Sequence, residues 1–449
     1  MPVPRQRKKK PPRPKSVQQG AKLRARREQQ GASLDPERGE LAQALLNLGA
    51  HRRQLDQHRA AIATHEAQTR LPELTTLASE LGATRFEDEL CARLGARMHA
   101  LAQAEALEEY VSPGQFLEAL NTAAAGAVRH SLIDRDPHAW HAPWLLLSTL
   151  AAIASDPYDD AVRRAIAALR AGRGGHILPA LAVLTPTGAA QWTRDAYGSR
   201  FAVTVPFPSS EGPDRWYLWD IDACGYSHFT VNSGYFPDSA HALAAWQVVV
   251  GPAATDGCVL APVDDPGLLS ELLPTDQGIL EPGGETASQF AEYHRSRRLA
   301  DELREALART GMPPAARSTR PETPEPSTCA RQFTSWLAEH RPDAPAPPDQ
   351  AELVDALARD WFEGEIPQLK ATCSPHRVAV FAEHLRDYYQ EDFARQLTAL
   401  LPHWITWFAE HSGLPPHLAE RCQPYAHGEP HPAQHPNGRG LNMLACVQE

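Results

Sequence analysis

Lysine is almost missing from this sequence. The chain has 449 residues and six lysines, five of them within the first 30 residues. Only Lys370 lies further on, against 38 arginines in the whole chain. No Gly-Lys-Ser/Thr occurs, which excludes a Walker-type nucleotidase, since that chemistry needs the lysine on the phosphates. There is no G-x-G-x-x-G dinucleotide turn and no G-x-S-x-G nucleophile elbow. No C-x-x-C joins the seven cysteines, Cys91, Cys224, Cys258, Cys329, Cys373, Cys422 and Cys446. Their odd number and wide spacing argue against a disulfide framework or zinc ribbon and for a reducing, cytoplasmic setting. The longest apolar run, Trp144 to Ala154, falls short of the roughly 20 residues that span a bilayer, so no membrane partner is expected. The N-terminal charges are followed by no apolar stretch and do not read as a secretory signal.

What is present is a sharp division of charge. Residues 1–30 carry eleven basic residues and a single acid, Glu28, so this arm is +10. The other 419 residues carry 33 basic and 54 acidic side chains, a net of −21. Partners of opposite sign are therefore implied for the two parts. The abundance of arginine, alanine and proline suggests a GC-rich, bacterial genome, and a lysine-bearing arm stands out against that background.

Composition divides the chain further. At roughly 100–200 residues per domain, two to four folded units are expected. Residues 1–32, with five prolines among the charges, read as a disordered arm. Residues 33–175 read as a helical domain. It starts at Asp35-Pro36-Glu37, with Leu41, Leu45, Leu48, Leu55 and Ile62 at helical spacing, and the pattern suggests a packed hairpin helix rather than a long coiled coil. Gly82 reads as a stop, and Thr84–Glu87 and Ser112–Gln115 read as capping boxes. Residues 176–311 read as a small α+β domain. Its strands are Arg200–Phe207, Arg215–Asp222 and Phe229–Phe236, with a possible fourth in Cys258–Val263; a helix capped at Asp238 and another at Thr286–Thr310 complete it. Residues 312–328 read as a Pro-rich linker and 329–420 as a C-terminal helical domain. There Ser374-Pro375 starts a helix, Gly413 stops one, and Trp336, Trp361, Phe362, Phe381, Tyr388, Phe393, Trp404, Trp407 and Phe408 supply an aromatic core. Residues 421–449 read as a flexible His/Pro-rich tail. The fold class is thus mainly α with a central small α+β domain.

Three constellations could carry chemistry. The first is Trp216–Asp222, where Asp220 and Asp222 end an apolar strand. In haloacid-dehalogenase-type phosphatases such a pair serves as nucleophile and general acid around magnesium, and this segment resembles that motif, with Val263-Asp264-Asp265 resembling the later acidic pair. The resemblance implies a magnesium-dependent hydrolase or phosphotransferase using Asp220 and Asp222. The chain departs from the pattern in three ways. The interval between the pairs is short for a Rossmann-like core. Asp222 leads through Ala223-Cys224-Gly225 into another strand rather than a helix. No lysine lies between positions 23 and 369 to hold a phosphoryl oxygen. The competing reading is a strand that turns into solvent, with aspartates satisfying the turn.

The second is Asp134–His141 with His130, whose carboxylates and imidazoles could ligate a transition metal; the competing reading is a polar loop capped by Asp136. Likewise His427, His431 and His435 could hold a metal weakly, but the intervening prolines forbid a helix that would align them. Cys224 and Cys258 would be nucleophiles only beside a histidine. No metal or other cofactor is expected.

The third is the arm. Arg5, Arg7, Lys8, Lys9, Lys10, Arg13, Lys15, Arg24, Arg26 and Arg27 are the candidate nucleic-acid contacts, each able to neutralise a phosphate and release counterions. The arm has no aromatic residue, so it offers no base stacking and little sequence discrimination. It could instead fold onto the chain's own acidic body. The leading expectation is a non-enzymatic binding or bridging protein, in which the folded regions contact other proteins and the arm contacts nucleic acid. The alternatives are the Asp220/Asp222 hydrolase and a structural or regulatory adaptor with no nucleic-acid role.

Overall fold

A computed structural model describes residues 36–104, 106, 108–133, 138–223, 228–274, 287–309, 325–341, 349–363 and 372–430, with burial described from residue 48 onward. The chain divides into two compact units, residues 1–61 and 62–449. Within the described residues it is mainly helical, with fourteen α-helices and one five-stranded antiparallel sheet.

The first helix, α1 (Pro36–Glu80), is a single 45-residue element where the sequence suggested a hairpin. Most of its residues are good helix formers, and Gly39 and Gly49 cost only about 1 kcal/mol each relative to alanine. Pro72 lies inside the helix, and beside it the Thr75 and Thr76 hydroxyls donate to the Leu71 and Pro72 carbonyls at 2.9 Å. In the second unit the helix buries Ala63, Ala67, Leu74 and Ala78, spaced to lie along one stripe. Leu48, expected in the apolar stripe, is 69% exposed.

Helices α2 (Ala83–Ala102), α3 (Pro113–Ser131), α4 (His141–Ile153) and α5 (Tyr158–Ala171) complete an N-terminal helical core. Ser112 and Gln115 form the expected capping box. Thr84 does not: α2 is preceded by Gly82 with no side-chain cap, and the Thr84 hydroxyl instead meets Ser209 and Ser210, each at 3.0 Å. The chain entering α2 thus finds polar partners on the sheet's loop.

The sheet comprises β1 (Gln191–Arg194), β2 (Arg200–Phe207), β3 (Arg215–Asp222), β4 (Phe229–Phe236) and β5 (Ala261–Pro262), in the order β4-β3-β2-β1-β5. Alternation along β2 and β3 gives two buried faces. Phe201, Val203, Val205, Phe207, Tyr217, Trp219 and Ile221 pack on α8 (Pro266–Leu272) and α9 (Ala287–Arg309). Ala202 and Leu218 face the other way, into a cluster with α6 (Ser239–Val250) and the C-terminal helices. A short helix, α7 (Pro252–Thr255), follows α6. Both faces of the sheet are therefore covered, and a polar side chain on either needs an internal partner. Helix α9 also reaches the N-terminal core through Phe290. Gly95 of α2 permits this approach, because a Cβ there would collide with the α9 backbone at Ala287 and Ala291.

The C-terminal helices are α10 (Pro326–His340), α11 (Gln350–Trp361), α12 (Pro375–Tyr388), α13 (Glu391–Ser412) and α14 (Pro416–Ala426). The side chain of Ser374 caps α12, and Gly413 ends α13 at φ 72°, a left-handed geometry that favours glycine. Phe333, Trp361, Phe381, Trp404, Trp407 and Phe408 form the aromatic core, whereas Tyr388, expected in it, is 71% exposed. Helix α14 runs to Ala426, past the boundary expected at 420. Of the segment read as a linker, residues 325–328 are described and Pro326 opens α10.

Candidate functional site

The β3 strand places Leu218, Asp220 and Asp222 on one face of the sheet, and antiparallel pairing sets Ala202 opposite Asp220 and Arg200 opposite Asp222. Arg200 reaches diagonally to Asp220 in a two-pronged ion pair, Nε to Oδ1 at 2.9 Å and an Nη to Oδ2 at 2.8 Å. The Trp246 indole of α6 donates to the same Oδ1 at 3.1 Å. Behind the arginine, Asp195 Oδ1 accepts the backbone N–H groups of Ser199 and Arg200 at 2.8 and 3.0 Å, fixing the turn into β2. One step along β3, Asp222 Oδ2 lies 2.9 Å from His376 Nδ1, in the first turn of α12. Next to it Arg377 donates to the Trp361 carbonyl at 2.6 Å and lies over that indole.

Asp220 and Asp222 are 1% and 3% exposed. The reading of a strand turning into solvent placed this pair at the surface, and that geometry does not occur. The two carboxylates share a face yet turn to different partners. Both oxygens of Asp220 accept hydrogen bonds from cationic or indole donors, and the Arg200 guanidinium already supplies the counter-charge that a magnesium ion would bring, so the arrangement does not fit a metal-bound nucleophile. Asp265 of the supposed second acidic pair caps α8, accepting the Leu268 N–H at 2.9 Å, and Asp264 is exposed. Sequence reading did not single out Arg200, Trp246 or His376. Arg200, a charge opening the apolar run of β2, is the one signal that could have found its part.

A second polar cluster joins α2, α9 and the sheet. Arg295, 4% exposed, donates to Glu87 at 3.0 Å, to Asp88 at 2.7 Å and to Glu292 at 2.9 Å. Arg215 donates to Asp88 at 2.6 Å and lies over the Tyr235 ring at 3.9 Å. The Tyr217 hydroxyl donates to Glu292 at 2.8 Å; burial, then the Glu292 charge, pushes its phenol well above the ordinary value, so it remains a donor. The chemistry of both clusters is that of ion pairs holding layers together.

The other sequence candidates disperse. His138 lies in a turn and α4 begins at His141, whose Nδ1 lies 3.0 Å from the His138 carbonyl; residues 134–137 lie outside the described residues. Among the described residues no three His, Cys, Asp or Glu side chains converge to hold a metal ion. His427 ends α14 at the surface, and His431 and His435 lie outside the described residues. Cys258 donates to the Arg194 carbonyl at 3.3 Å, and Cys224 lies outside the described residues. So does the whole arm from Arg5 to Arg27. No described helix is long and apolar enough to cross a membrane. No family model, curated protein or solved structure matches this chain.

Proposed function

We propose that this chain is a non-enzymatic binding or bridging protein whose basic arm contacts the phosphates of nucleic acid. The observation that supports the non-enzymatic part is the engagement of Asp220 and Asp222, the most enzyme-like pair in the sequence, with Arg200, Trp246 and His376 inside the fold. The +10 arm against a −21 remainder supports the second part: phosphate attracts the arm while the acidic body is repelled. Binding of this kind is strong at low salt and indifferent to sequence. The folded regions act as the protein-contacting part, and the scattered cysteines suit a reducing, cytoplasmic setting.

Purification at low salt tests the proposal. The full chain should carry nucleic acid, seen as an elevated ultraviolet absorbance ratio, and the chain lacking residues 1–30 should not. A full chain with the absorbance ratio of pure protein would leave the adaptor reading instead.

A further inference from the structure

A groove of about 860 Å³ lies among the C-terminal helices, between the ends of α10, α12 and α14 and one face of α13. Its size falls within the range of roughly 300–1,000 Å³ that holds small ligands. Helix α13 contributes Ala394, Arg395, Thr398, Ala399, Pro402 and His403, a spacing that sets all six on one helical face. Alanine and proline give this face an apolar floor. Around it stand Arg341, Arg386, Arg395, His403 and His427, and Glu391 is the only carboxylate in the lining.

These cations are unevenly neutralised. Arg395 is paired with Glu391 at 3.3 Å and Asp392 at 3.1 Å. Arg386 donates its Nε to the Ala382 carbonyl of its own helix at 3.2 Å and meets no carboxylate among the described residues. Arg341 has neither a side-chain hydrogen bond nor an ion pair among them. His403 reports the resulting field: burial first, then the charges of Arg341 and His427, holds its imidazole below the ordinary value.

We propose that this groove binds a small organic anion in which one phosphate or carboxylate group is joined to an apolar or aromatic body. The guanidinium groups of Arg341 and Arg386 take the anionic head, since arginine donors match both oxyanion geometries and such charge-assisted bonds are about twice as strong as neutral ones. The alanine and proline floor takes the body. A polyanion is a poor fit, because the −21 remainder of the chain repels it at long range, whereas a ligand of one or two charges responds mainly to the local cations.

Calorimetric titration of the full chain with phenyl phosphate, inorganic phosphate and phenol separates head from body. Phenyl phosphate should bind at least about tenfold more tightly than either fragment, a difference of about 1.4 kcal/mol. The Arg341→Ala/Arg386→Ala protein should lose about tenfold or more of that affinity. Ala399→Glu, which adds a carboxylate to the exposed floor and leaves every arginine in place, should abolish binding. Circular-dichroism melting checks that both variants stay folded. No binding of phenyl phosphate at millimolar concentration overturns the proposal, as does affinity no better than that for inorganic phosphate. Affinity unchanged in both variants places the ligand elsewhere and overturns it too.

Discussion

His376 Nδ1 lies 2.9 Å from Asp222 Oδ2, although 154 residues separate the two in sequence. The contact ties the first turn of α12 to the end of β3 in a place where His376 is 2% exposed. Removing one member takes this contact from a buried polar partner, so Asp222→Ala should lower the unfolding free energy by about 3 kcal/mol. A double-mutant cycle with His376→Ala, read by urea denaturation, should return a coupling of about 1–3 kcal/mol. Additive losses would show that the two side chains do not act together.

Arg200 and Asp220 make a stronger case of the same kind. Asp220→Asn removes the charge that matches a guanidinium only 4% exposed, and should cost about 3–5 kcal/mol. The double replacement Arg200→Met/Asp220→Leu should recover most of that loss, because well-packed apolar residues can replace a buried ion pair at little net cost. Thermal melts of the three proteins test this. A stable, fully folded Asp220→Asn protein would contradict the cohesive role and reopen a catalytic one.

The thiols should separate by environment. Burial pushes the Cys91 thiol far above its ordinary value, and Cys329, Cys373 and Cys422 are buried as well. Cys258 is partly exposed, and burial followed by the Asp195 charge raises it more modestly. At about pH 8, a thiolate-seeking reagent should label Cys258 before the other four, and its rate should keep climbing above the range where a free thiol levels off near about 8.5. Mass spectrometry of labelled peptides reads the order; early labelling of Cys91 in the folded protein would contradict it.

His403 predicts a pH dependence of stability. Its imidazole is held below the ordinary 6.5, so the unfolded chain binds this proton more readily than the folded one. Its contribution therefore falls as pH drops through the unfolded value and levels off below the folded one. His403→Gln should flatten that part of the curve between about pH 5 and 7, measured as urea midpoints. An unchanged curve would contradict the sign of the shift.

Much of this fold was legible locally. The spans Arg200–Phe207, Arg215–Asp222 and Phe229–Phe236 stand out because β-branched and aromatic runs end at Gly, Pro, Ser and Asp, and the structure has strands at those bounds. Ser112, Asp238 and Ser374 cap helices as their sequences suggest. β1, only four residues long, left no periodicity to read, whereas β5 falls inside the fourth strand expected at Cys258–Val263, shortened to Ala261–Pro262. The partners of the carboxylates were hidden for a different reason. Alternation puts Leu218, Asp220 and Asp222 on one face, but nothing near β3 reveals that α6 and helices more than a hundred residues away cover it. In Ser374-Pro375-His376 the local signal is a helix start, and the role of the histidine comes from the layer it meets.

Salt titration of nucleic-acid binding tests the central claim most directly. Fluorescence anisotropy with a labelled mixed-sequence oligonucleotide should give log K falling linearly with log salt, at a slope of about −0.7 per phosphate contacted for a single strand. Removing residues 1–30 should abolish the binding, and changing the oligonucleotide sequence should barely alter it. Equal affinity and equal slope with and without residues 1–30 would contradict the account.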